Sequence, residues 1–147
     1  MNNFEDAKQA IIDSSTSSSI YVGCDSLVST KNGKSLVKYS VVIILHMDSK
    51  HGGRIFHKTT TMQNYGNLKQ RLLMEVQIAI DATLEIIDVI GERKLQVHLD
   101  LNRDVKYASN ACVKEALGWV RGATGIEAQL KPDAWASSTA ADHMVRK

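Results

Sequence analysis

The chain has 147 residues, 44% of them hydrophobic, with 18 basic against 16 acidic residues for a formal net charge of +2. Such a composition suits one domain with a sizeable core and argues against intrinsic disorder. The near balance of charge permits nucleic-acid binding without arguing for it, and two cysteines, Cys24 and Cys112, are too few for a disulfide scaffold or a cysteine zinc site.

Phe4, Ala7, Ile11 and Ile12 recur at helical spacing and predict a short amphipathic helix over Asn3 to Asp13, broken by the Ser/Thr run at Ser14 to Ser19. The stretch Ile20 to Ser26, IYVGCDS, reads as a central strand buried on both faces that runs into a carboxylate at Asp25. Lys31-Asn32-Gly33-Lys34 is a hairpin signal, because Asn-Gly tolerates the positive φ angles of a tight turn. Leu36 to His46 forms the second strand, Asp48 to Gly53 a polar turn, and Arg54 to Met62 a third strand, giving an antiparallel meander.

The period then changes. From about Asn67 to Ile90, Leu68, Leu72, Leu73, Val76, Ala79, Ile80, Thr83, Leu84 and Ile87 fall on one arc of a long helix, and Gly91 closes it. Leu95 to Asp100 is a strand ending in an acid, and Asp104 to Val120 a helix with Asn102 or Asp104 as N-cap. Ile126 to Leu130 is a last short strand stopped by Pro132, and Ala134 to Lys147 a final helix rich in Ala and Ser. The expected fold is a single α/β domain over residues 1–147, with a mixed five-stranded sheet in which two later strands join the meander in parallel. A dinucleotide-binding fold would need a Gly-rich turn after the first strand, and no GxxxxGK[ST] loop for a nucleotide triphosphate is present.

No apolar run reaches membrane-spanning length, and the start, MNNFEDAKQA, lacks the profile of a signal peptide. A cytoplasmic protein without membrane contact is expected, with both cysteines buried as small hydrophobes.

Four acids stand out by position. Asp25 and Asp100 each close a central strand, Glu75 lies at the rim of the buried arc of its helix, and Asp142 shares a helix stripe with Trp135, Ser138 and Thr139. Singly, each also reads as a turn former or a surface acid. Together they would repel, and would be stable as anions only around a cation. An all-oxygen cluster favours Mg²⁺ or Mn²⁺ over zinc, and two such ions about 3.5–4 Å apart form the clamp for in-line displacement at phosphate esters.

The order of elements and the four acids resemble the ribonuclease-H-like (retroviral integrase) superfamily, and the details its small YkuK-type branch. The matching segments are VGCDS at Val22 to Ser26, the helix around Leu72-Leu73-Met74-Glu75, HLDLN at His98 to Asn102, GWV at Gly118 to Val120, KPDAWAS at Lys131 to Ser137, and AAD ending at Asp142. The resemblance implies a ribonuclease-H-like sheet, two metal ions, and Asp25, Glu75, Asp100 and Asp142 as catalytic ligands. Asp25 would bridge the metals, Glu75 and Asp100 complete one site, and Asp142 the other. It implies a nuclease acting on RNA, RNA/DNA hybrid or DNA; the alternative is a non-catalytic nucleic-acid-binding or scaffolding protein on the same fold.

Cys24 stands where such relatives often have Thr, and an obvious catalytic His before the last helix is missing. His98 and His143 adjoin the acids as supporting or structural groups. Candidate substrate contacts are Ser26 and Asn102, beside the acids in their motifs, and Lys131, which would meet a phosphate as a point charge. Few aromatics and no basic-aromatic interleaving point away from base stacking and toward recognition of backbone and shape. Substrate identity and oligomeric state are not legible.

Overall fold

A computed structural model describes residues 3–47, 52–64, 66–102, 112–131, 133–134 and 136–146, with the backbone alone for Asn3, Asn102, Ser137, Ser138, Thr139 and Asp142. Its elements are α1 (Asn3–Asp13), β1 (Ser19–Lys31), β2 (Lys34–His46), β3 (Gly53–Gln63), α2 (Leu68–Ile86), β4 (Lys94–Asn102), α3 (Val113–Thr124), β5 (Gln129–Lys131), a π-helical stretch at Ala136–Ala141 and α4 (Asp142–Val145). The sheet order is β3-β2-β1-β4-β5, with β1, β2 and β3 antiparallel and β1, β4 and β5 parallel. This is the mixed five-stranded sheet expected.

Alternation along β2 makes the layers. Val37, Tyr39, Val41, Ile43 and Leu45 join the main core with Phe4 and Ile11 of α1 and Val76, Ala79 and Ile80 of α2. Val42 and Ile44 instead meet Ala136 and Ala141 of the C-terminal segment. Successive side chains of a strand point to opposite faces, so α1 and α2 cover one face and the C-terminal segment the other. β2 is buried from both sides along its middle, which is why it reads as a near-continuous apolar run.

The hairpin turns where expected, with Asn32 at φ 54° and Gly33 at φ 77°, and a side chain at position 33 would be strained by backbone conformation alone. α2 starts in a capping box: the Asn67 side chain accepts from the Gln70 N–H, and the Gln70 side chain accepts from the Asn67 N–H. It gives way to a 3₁₀ turn at Ile87–Val89, and Leu68, Leu84 and Ile87 of the expected apolar arc are exposed. Both cysteines are buried, and they form no disulfide among the described residues.

Some expectations need correction, and one falls outside the described residues. β1 does not stop near Asp25 but runs on to Lys31, because β2 pairs with it as far as Lys31↔Lys34. The helix expected from Asp104 is described from Val113; residues 103–111 lie outside the described set, and Asn102 belongs to β4. The last helix is a π-helical stretch followed by a short α-helix, and the last strand reaches Lys131.

Candidate metal centre

The site forms where β1 and β4 part. They pair in parallel from Ser19↔Lys94 to Gly23↔His98. Carried on by two residues, the same register sets Asp25 level with Asp100, yet pairing has already ceased. β4 is irregular at the same place, with five residues from His98 to Asn102 facing three from Gln129 to Lys131 on β5. Such bulges bend a strand and re-aim its side chains, and Asp100 lies inside this one.

α2 brings the third acid. Glu75 is buried to 5% exposure, and its carboxylate accepts a hydrogen bond from the Ser26 hydroxyl. The Ser26 backbone N–H donates to Asp25 Oδ1 at 2.8 Å. One residue therefore braces two acids, a geometry that expecting Ser26 at the substrate did not anticipate. Asp25, Glu75 and Asp100 each offer an oxygen, and the three oxygens lie within 4.8 Å of one another. Asp142 opens α4, which packs on β1 and β2, but its side chain and that of Asn102 lie outside the described residues.

The electrostatics are those of crowded, dehydrated anions. Burial raises the Glu75 carboxyl well above the usual range; the Ser26 hydroxyl opposes this, Asp25 and Asp100 add to it, and Arg71 one turn earlier lowers it. Burial followed by the same three acids pushes the Cys24 thiol up. Lys131 is turned inward, with Nζ 2.6 Å from Asp100 Oδ1. Burial alone would lower its pKa, but the pair with Asp100 and the fields of Asp25 and Glu75 raise it.

Two groups escaped sequence reasoning. Ser40, the register partner of Asp25, has a fully buried hydroxyl without a hydrogen-bond partner among the described residues. Its signal was a lone hydroxyl inside the apolar run of β2. Arg71 stands four residues before Glu75, a spacing that puts both on one helix face. It lines a groove of about 420 Å³ with Val37, Tyr39, Met62, Gln63 and Met74.

A family model described as Ribonuclease H-like matches residues 3–146. The chain belongs to the ribonuclease H-like family. No curated protein matches it. Among solved structures it is similar to the crystal structure of prototype foamy virus protease-reverse transcriptase (native), at 12% identity and a TM-score of 0.45, over 88% of this chain and 20% of that one. It thus spans about a fifth of that protein's length.

In this ribonuclease H-like chain the three acids suit a hard divalent cation. The donors are all oxygen, and among the described residues the buried Asp100 Oδ1 faces no donor but the Lys131 ammonium. Three converging carboxylates, Asp25 and Glu75 buried and Asp100 half-buried, could hold such an ion as its ligands.

Lys131 supplies part of the balancing positive charge in the metal-free protein. Lys131→Met should therefore lower the melting stability of the metal-free chain by about 1 kcal/mol, a modest figure because the Lys131 side chain is 40% exposed and solvent screens the pair. The same change should tighten Mn²⁺ binding, since a competing cation is gone. Calorimetric titration of both proteins measures this, and weaker Mn²⁺ binding by the variant would show that Lys131 assists the metal rather than opposing it.

Proposed function

We propose that this protein is a metal-dependent nuclease that hydrolyses phosphodiester bonds in RNA, RNA/DNA hybrid or DNA, with Asp25, Glu75 and Asp100 as metal ligands and Asp142 completing the set. The convergence of three carboxylates, two buried and one half-buried, at the parting of β1 and β4 is the observation that carries this reading. Membership of the ribonuclease H-like family supports it, and the VGCDS, HLDLN and KPDAWAS segments support assignment to the YkuK-type branch. Mg²⁺ or Mn²⁺ is the ion proposed, from the all-oxygen donor set. Bound between the acids, it would activate water for attack and stabilise charge on the phosphate and leaving oxygen.

The chain's own residues prepare that chemistry. Ser26 holds Asp25 through its N–H and Glu75 through its hydroxyl, so both carboxylates are aimed before any ligand arrives. Glu75 tends to hold its proton in the metal-free protein, and that proton must leave when a cation binds. Metal affinity should therefore rise with pH through the titration of Glu75. Lys131 and Arg71 are positive charges beside the acids, available to a phosphate. Among the described residues no helix is long and apolar enough to cross a membrane.

Incubation with labelled RNA, DNA, hybrid and branched substrates in Mn²⁺ tests the reading. Cleavage of at least one of them, abolished by chelation, is expected. Mn²⁺ binding without cleavage of any would leave a nucleic-acid-binding protein on this fold.

A further inference from the structure

Charge is distributed unevenly along this chain. Between Ser26 and Met74 there are eight Lys and Arg but a single acid, Asp48, so this stretch carries +7 and the remainder −5 to give the total of +2. Beyond Gly23, β1 loses β4 as a neighbour; β1 and β2 run on to the turn at Asn32-Gly33, with β3 paired beside β2 as far as Leu36. Paired residues of an antiparallel ladder point to the same face, and the side-chain period is two. The pairs Asp25↔Ser40, Leu27↔Lys38, Ser29↔Leu36 and Lys31↔Lys34 therefore share one face. Three lysines and the central acid of the site line up along it.

None of Lys31, Lys34 and Lys38 forms an ion pair among the described residues, and Lys31 and Lys34 are exposed. Lys31 and Lys34 also stand directly opposite each other, a like-charge pairing that costs stability unless an anion lies near. The C-terminal segment meets this face at Val42 and Ile44, toward the other end of these strands.

From these placements we infer that the lysine-bearing face of β1 and β2 is a docking track for the sugar-phosphate backbone of a nucleic-acid duplex, leading away from the metal centre. This rests on the reading of that centre as acting on nucleic acid. At about 3.3 Å per residue, Lys38 lies beside a position about 7 Å from Asp25 and Lys31 about 20 Å from it. At about 3.4 Å of helix axis per base pair, those spans correspond to roughly two and six steps of a duplex lying along the strands. A phosphate at the acids thus puts later phosphates of the same duplex over the lysines. Between Asp25 and Lys31 and between Lys34 and Ser40, the only aromatic, Tyr39, points into the opposite core, so bases have no stacking platform here. Isolated cations at intervals of several steps suit backbone contact, which is independent of sequence.

The test is binding of a labelled hybrid duplex of about 20 base pairs by the full chain in Ca²⁺, titrated between 50 and 200 mM salt. The triple variant K31Q/K34Q/K38Q should flatten the slope of log affinity against log salt by about 2 to 3, since each lost phosphate contact removes about 0.9. Its melting temperature should be no lower and its Mn²⁺ affinity unchanged, because these residues lie outside the metal centre. An unchanged slope in a variant that still binds duplex overturns the track and leaves the nuclease reading standing. Equal loss on single strands, or competition by polyglutamate as effective as that of duplex, also overturns it. A wild-type chain that binds no nucleic acid while holding Mn²⁺ overturns the track together with the proposed function; cleavage in the substrate panel without the slope change overturns the track alone.

Discussion

Asp25→Asn is expected to lower metal-dependent cleavage at least about a hundredfold, the scale seen when one preorganised charge-stabilising group is removed from a site. The amide can still accept the Ser26 N–H through its oxygen, so the local backbone keeps its hydrogen bond. It cannot supply negative charge to a cation shared with Glu75 and Asp100. Folding should not suffer, and should gain if anything, because Asp25 is one of the charges that push Glu75 and Cys24 away from ionisation. Initial rates with Mn²⁺ and thermal melting of the metal-free proteins separate these effects. Activity at more than a few per cent of wild type would remove Asp25 from the mechanism, and a large fall in melting temperature would mean that the carboxylate serves the fold.

Acid should destabilise the protein through His98. The ring is fully buried on β4: Nδ1 accepts the Ala136 N–H at 3.0 Å, and Nε2 faces Gln96 Oε1 at 3.0 Å. This arrangement holds the neutral tautomer with its proton on Nε2. Burial lowers the pKa from 6.5 to about 4; Asp133 opposes the shift and Lys94 adds to it. A group whose pKa is depressed by folding contributes stability above its unfolded value and loses it as pH falls toward the folded one. The contribution is therefore complete above about pH 6.5 and is lost between 6.5 and 4, for a total of about 3 kcal/mol. Urea denaturation of wild type and His98→Gln at pH 7 and pH 4 measures the difference, and parallel losses in the two proteins would exclude His98 as the cause. Since the Ala136 N–H is the partner, protonation should first loosen the C-terminal segment from the sheet.

Much of the fold was legible because its signals are local. Asn32-Gly33 demands positive φ, and the 3.6 period from Leu68 onward needs only neighbouring residues to express itself. The same period set Glu75 apart from Asp81, which is exposed, while Glu75 is buried. Local signals failed where pairing decides. Nothing within VGCDS states that β1 continues to Lys31, since the polar residues after Ser26 are held in the strand by β2. The expected α-helix at the C-terminus is wound as a π-helix over Ala136–Ala141, where Ala136 and Ala141 meet Val42 and Ile44 and packing overrides propensity.

By itself, then, the amino-acid order determined the element sequence, the meander followed by crossovers, and the few acids placed among apolar residues. Only the tertiary structure decided which of them meet and what else attends them. That Asp25 and Asp100 are level depends on a register between strands about 75 positions apart. That Ser26 braces Glu75, that Lys131 turns inward to Asp100 and that Ser40 lies buried opposite Asp25 depend on three further segments closing on the same point. Periodicity reports the face on which a side chain lies. It carries no information on strand register or on the removal of water, and those two set the distances and charges of the site.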